Sequence, residues 1–137
     1  RYIDTVFDGA SMVPAEPKAE AKIIQWASFA QTTADRLILR QYVVQYMFNK
    51  DKDGNVIRDE IDRAIKGFPK MFRILNDAVS SGYFGSDEFS MADCFLMPIL
   101  NSGQNFPEAK EALESSEHLK KYFDTLSQRP SFANTAP

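Results

Sequence analysis

The chain has 137 residues, 44% of them hydrophobic and 26% charged, with a formal net charge of -3. That is the composition of one globular domain, long enough to bury about two-thirds of its unfolded surface. Its mild acidity gives no drive toward nucleic acid, and no apolar run nears the roughly 20 residues that span a bilayer.

The first residues, Arg1-Tyr2-Ile3-Asp4, carry no methionine and no leader pattern. They read as a fragment or processed piece entered within a helix. Residues 1–17 are expected to be the end of that helix followed by a linker, punctuated by Gly9, Pro14 and Pro17. Pro17 suits a first helical turn, where its missing N–H costs nothing. Residues 18–48 contain no proline or glycine. Ile23, Trp26, Ala27, Ala30, Ala34, Leu37, Tyr42 and Tyr46 recur at helical spacing. They predict one long helix of up to about 45 Å.

Charges and Gly54 break the pattern over residues 49–55. A second helix is expected over residues 56–81, where Ile57, Ile61, Ile65, Phe68, Phe72, Leu75 and Val79 form an apolar stripe. Pro69 within it should kink or divide the helix, and Gly82 and Gly85 end it. Ser90 is an N-cap, and Asp93, three residues on, completes a capping box, with Phe89 stapling onto Cys94. The apolar helix that follows should be buried, bent at Pro98 and ended at Gly103. A short helix over 107–113 and another carrying Leu119, Tyr122, Phe123 and Leu126 complete the pattern. Arg129-Pro130-Ser131-Phe132 makes a closing turn. No segment alternates as a strand does, so the fold class is all-α, with about five to six helices.

Few groups suggest chemistry. Asn49, Asp51, Asp53, Asn55 and Glu60, with Gly54 at the tight turn and apolar Val56, follow the spacing of a calcium-binding EF-hand loop. Asn49 replaces the usual aspartate, Ile57 supplies no ligand, and no second loop exists to pair with it. A polar connection between helices, where Asp, Asn and Gly are favoured anyway, is the other reading. His118 is the only histidine, has no Cys or His partners and is expected on the surface. Cys94 is the only cysteine, which excludes an internal disulfide and suits a reducing, cytoplasmic compartment. It is expected as a small core residue. Ser90 and Asp93 are read as structural caps, not as an acid–base pair.

Gly85, Ser90, Ala92, Asp93 and Pro98 resemble the "G-x(n)-S-x-A-D" run that opens the core helix of the C-terminal helical domain of cytosolic glutathione transferases. Three further segments agree in order. Arg1 through Phe7 to Pro14 resembles the family's interdomain linker. Ile24-Gln25-Trp26 resembles its apolar-Gln-Trp. Leu119 through Arg129-Pro130-Ser131 resembles its closing run, with Tyr122 in place of a tryptophan.

The resemblance implies a helical bundle over residues 18–137, preceded by a linker over 1–17. It also implies that the thioredoxin-like half, which carries the catalytic residue, is absent. By the same likeness, Ser28, Thr32, Asp35 and Arg36 would line a substrate wall, with Gln31 nearby. Glutathione would be a substrate, with no tightly bound cofactor, alongside a small hydrophobic electrophile. The full-length protein would be a cytoplasmic homodimer without nucleic-acid or membrane partners. A non-catalytic scaffold of transferase-like fold and a calcium-binding helical protein are the alternatives.

Overall fold

The computed structural model describes residues 2–135. Those residues are helical, with two isolated bridges and no strand among them. Arg1, the first residue of the linker pattern, lies outside them. Helix α1 (Tyr2–Val6) leads into a linker that is fastened to the body. The Asp4 carboxylate accepts the Met12 N–H at 2.5 Å and the Ser11 hydroxyl at 2.9 Å. The Met12 carbonyl then accepts the N–H of Met91 at 2.9 Å, and Val13 is buried.

The long helix is one rod of three parts: α2 (Pro17–Phe29), a π-helical segment (Ala30–Val43) and α3 (Val44–Phe48). Pro17 sits in the first turn, and the Glu16 carboxylate caps it by accepting the N–H groups of Lys18 (2.9 Å) and Ala19 (2.7 Å). In the π segment the bonds reach five residues back, as from the Val44 N–H to the Leu39 carbonyl. The buried residues explain the wider turn. Ala30, Ala34, Ile38 and Tyr42 recur strictly every fourth position. At about 3.6 residues per turn such a stripe winds off the core unless a step of three corrects it. None does here, and the wider turns counter that drift.

The expected second helix is divided in two, α4 (Asp59–Ile65) and α5 (Phe68–Ala78). Pro69 lies in the first turn of α5, where proline is tolerated, so it starts a helix and kinks none. Gly67 at the junction passes close under Leu37: a Cβ there would lie 3.1 Å from Leu37 Cδ2. Ile57, expected on the stripe, falls before α4 and is exposed.

Helix α6 (Met91–Gly103) is the centre of the molecule and packs along α2 and the π segment. Alanines 27, 30 and 34 on the buried stripe allow this close approach, and a Cβ at Gly103 would lie 3.1 Å from Ile38 Cγ2. Helices α7 (Pro107–Glu114), α8 (Glu117–Ser127) and α9 (Pro130–Ala133) wrap the other side. The start of α8 is capped from a distance: Asn76 Oδ1, on α5, accepts the N–H groups of His118 (2.9 Å) and Leu119 (3.1 Å).

The capping box at Ser90 forms. Ser90 Oγ accepts the Ala92 N–H at 3.3 Å, and Asp93 Oδ2 accepts the Ser90 N–H at 2.7 Å. Asp93 also accepts the Phe84 N–H and the Tyr122 hydroxyl, each at 2.9 Å, and is completely buried. Burial and the neighbouring carboxylate push the Tyr122 hydroxyl's pKa far up, so it stays a donor. Just upstream, Gly85 has φ +79°, and a Cβ there would lie 2.0 Å from Trp26 Cδ1. The turn therefore requires glycine, and it closes over the Trp26–Phe84 ring pair at 4.9 Å.

One expectation is corrected here. Cys94 is exposed rather than a core residue, because Cys94 and Pro98, one turn apart, form the strip of α6 that faces outward. Phe89, its expected staple partner, stacks under the Arg129 guanidinium (3.8 Å) and meets Tyr83 edge-on (6.2 Å).

Candidate functional site

The π segment and α6 enclose an open groove of about 350 Å³. Gln31, Asp35 and Arg40 form its polar side, and Phe95, Pro98 and Ile99 its apolar side. The wide turn builds the polar side. Asp35 and Arg40 are five residues apart yet meet at 3.0 Å, with the Arg40 side chain 71% exposed and that of Asp35 23%. The groove thus pairs a fixed charge couple with apolar surface, an arrangement suited to an amphipathic small molecule.

Of the four wall residues expected from sequence, the structure brings only Asp35 to this groove. Ser28, Thr32 and Arg36 are exposed elsewhere on the rod. The Thr32 hydroxyl donates back to the Ser28 carbonyl at 2.7 Å. Gln31 Nε2 donates to the Ala27 carbonyl at 3.2 Å. Arg40 is the residue that sequence reasoning missed. A carboxylate and a guanidinium five apart is a signal only if a π turn is suspected.

A second polar cluster joins distant parts of the chain. The buried Tyr42 hydroxyl donates to Glu108 at 2.9 Å and accepts the Ala109 N–H at 3.1 Å. Tyr46 donates to the same carboxylate at 2.7 Å. Arg58 donates to Tyr46 (2.7 Å), Glu108 (2.5 Å) and Asp62 (2.9 Å). Burial raises the Glu108 carboxyl, but bonds from Arg58, Tyr46 and Tyr42 outweigh it and bring its pKa down to about 2. Burial, with the adjacent Glu108, raises that of Tyr42. These groups are occupied with one another, so the cluster is a structural lock.

The loop with EF-hand spacing is a small hairpin closed by a Lys50–Val56 bridge, with Gly54 at φ +86°. The Asp51 carboxylate turns to the loop itself, accepting the N–H groups of Asp53 (2.9 Å) and Asn55 (2.8 Å). The bonds from Asn55 hold its pKa below the ordinary carboxylate value. Glu60 pairs with Arg63 at 2.8 Å. Among the described residues, no three His, Cys, Asp or Glu side chains gather as metal ligands would. No helix among them is long and apolar enough to cross a membrane.

A buried, capped core helix with a long rod packed along it defines an all-helical domain, and comparison with known proteins says of which family. The chain belongs to the glutathione S-transferase C-terminal domain family, whose family model matches residues 37–130. Glutathione transferase F7 from Populus trichocarpa superposes with a TM-score of 0.81 at 23% identity, over 93% of this chain and 60% of that one. The apo form of a glutathione S-transferase III superposes at 0.76 with 22% identity, over 98% of this chain and 62% of that one. At these identities the likeness shows the fold. By sequence, a stringent starvation protein A homolog from Haemophilus ducreyi is 24% identical over 98% of this chain, which spans 58% of that protein's length.

Proposed function

We propose that the chain is the helical half of a glutathione-transferase-like enzyme, and that the groove between the π segment and α6 is its contribution to the substrate site. The observation that carries this reading is the groove's division into a charged edge, Asp35 with Arg40, and an apolar wall, Phe95 with Ile99. The charged edge suits glutathione, whose ammonium and carboxylates call for charge-assisted bonds. The apolar wall suits the electrophile. Thiol activation would come from a thioredoxin-like domain upstream. In keeping with such a neighbour, Tyr2, Ile3, Val6 and Phe7 on and just after α1 are 56–73% exposed. The protein would work as a cytoplasmic homodimer.

The reaction is nucleophilic displacement or addition. With 1-chloro-2,4-dinitrobenzene, the thiolate sulfur forms a C–S bond as the C–Cl bond breaks, and chloride leaves with the electron pair. The test is this conjugation assay on the full-length protein. Phe95→Ala should raise KM for the chloro compound about tenfold, with KM for glutathione unchanged. Asp35→Asn should do the reverse. A full-length protein that neither conjugates nor is retained on immobilised glutathione favours a second reading, a non-catalytic scaffold. That reading is supported by the relative named for stringent starvation, a name that specifies no transferase chemistry.

A further inference from the structure

Large apolar side chains are exposed around α1, at Ile24, and at the tip where the rod ends. At that tip Met47 and Phe48, the last residues of α3, and Ile57 are 39–72% exposed. The Ile57 N–H donates to the Asn49 carbonyl at 3.0 Å, which brings Ile57 back beside the end of α3. The three residues form an apolar knob at the base of the 50–56 hairpin. A groove of about 640 Å³ lies between α5 and α7 and closes at the start of α8. Ile65, Pro69 and Ala112 give it accessible apolar surface. Glu111 and Glu117 line one side and Arg73 the other. We propose that the knob of one copy of this chain docks in the groove of a second copy, and the reverse. The contact goes beyond the transferase reading and requires neither glutathione nor an upstream domain.

Charge selects this occupant. The hairpin beside the knob carries Lys50, Lys52 and Asp53, whereas the Asp51 carboxylate is turned inward to the N–H groups of Asp53 and Asn55. Among the described residues, Lys50, Lys52, Asp53, Arg73, Glu111 and Glu117 form no ion pair. Two free cations on the knob thus answer two free anions on the groove, and Asp53 answers Arg73. Matched signs fix the register of a contact and disfavour wrong partners. Apolar surface left bare on both sides supplies the drive.

The two surfaces also adjoin. Arg58, which follows Ile57, donates at 2.5 Å to Glu108, in the lining of the groove. Complementary surfaces side by side on one end of a molecule can meet twice across a two-fold axis. Each knob then fills the other copy's groove, and the contact closes on itself.

The test is sedimentation velocity of the full-length protein. It should show a concentration-dependent step, from monomer to dimer, or from a dimer built on other surfaces to tetramers and longer chains. Lys50→Glu with Lys52→Glu leaves knob and groove both acidic. Glu111→Lys with Glu117→Lys leaves both basic. Each pair of changes alone should weaken the step at least about tenfold, and an equimolar mixture should restore it to within about threefold. In the mixture every acidic surface has a basic one to meet. Phe48→Ser should weaken the step at least about tenfold, as loss of a central aromatic does, with the melting temperature unchanged. It decides the matter if a charge-reversed protein does not fold. No step, a step that survives any of these changes in a protein that folds, or a mixture that stays apart overturns the proposal.

Discussion

Asp93 carries more than its sequence context suggests. The spacing Ser90-x-x-Asp93 predicts a capping box, and a lost cap costs about 1 kcal/mol. In the folded chain its carboxylate also holds the backbone of Phe84 and the hydroxyl of Tyr122. Asp93→Ala would strand these buried donors together, each at about 1–3 kcal/mol. The expected loss is about 3 kcal/mol or more in denaturant melts; a loss near that of a simple cap would restrict Asp93 to capping. The local half of this role was legible because three residues hold it. The half that reaches Tyr122 was not, since nothing in a one-dimensional pattern places a residue 29 positions away. Cys94 teaches the converse. Most of its neighbours in sequence, Asp93 apart, are apolar, but on a helix the exposed strip is set by what shares its face, here Pro98.

At the scale of the element, the pattern gave the long helix and the core helix close to their observed ends, and the buried stripe of α8. It missed what depends on neighbours. The π segment left no mark in that reading, whose apolar positions Ala34 and Leu37 include a step of three; the strict steps of four appear only once burial picks out Ile38. The break in the second helix was signalled by Pro69; Gly67, the glycine that accommodates Leu37, was not read as part of it. The cap on α8 left no local trace. Ser116 precedes the helix but makes no side-chain cap bond; Asn76 supplies it from α5. Asn76→Ala should therefore cost about 1 kcal/mol, the usual worth of a helix cap. The loss should appear in chemical melts, with faster amide exchange at His118 and Leu119. Ser116→Ala should have a smaller effect, and the opposite order would return the cap to Ser116.

Over the whole molecule, Glu108 does for one end what Asp93 does for the other. It binds Tyr42, Tyr46 and Arg58 from elements 50 to 66 residues away, which is why the sequence held no hint of it. Its carboxyl is depressed from an ordinary 4.5 to about 2, so it favours the folded state above the ordinary value. That contribution is lost as pH falls through about 2. Its side chain is 24% exposed, so solvent tempers the gain. Urea melts should show the wild-type advantage over Glu108→Gln shrinking across that interval and constant from about pH 5 to 7. An advantage independent of pH would mean that shape, and not charge, holds the cluster.

The partners of Asp93 stand 3, 9 and 29 residues from it. Short loops close at less entropic cost than long ones, so these bonds form in that order as the chain condenses. The carboxylate is thus a clock as well as a clasp, set early by Ser90 and read late by Tyr122. In stopped-flow experiments, Ser90→Ala should mainly slow folding and Tyr122→Phe mainly speed unfolding. If both act on the unfolding limb alone, the core helix starts only after the bundle has closed around it.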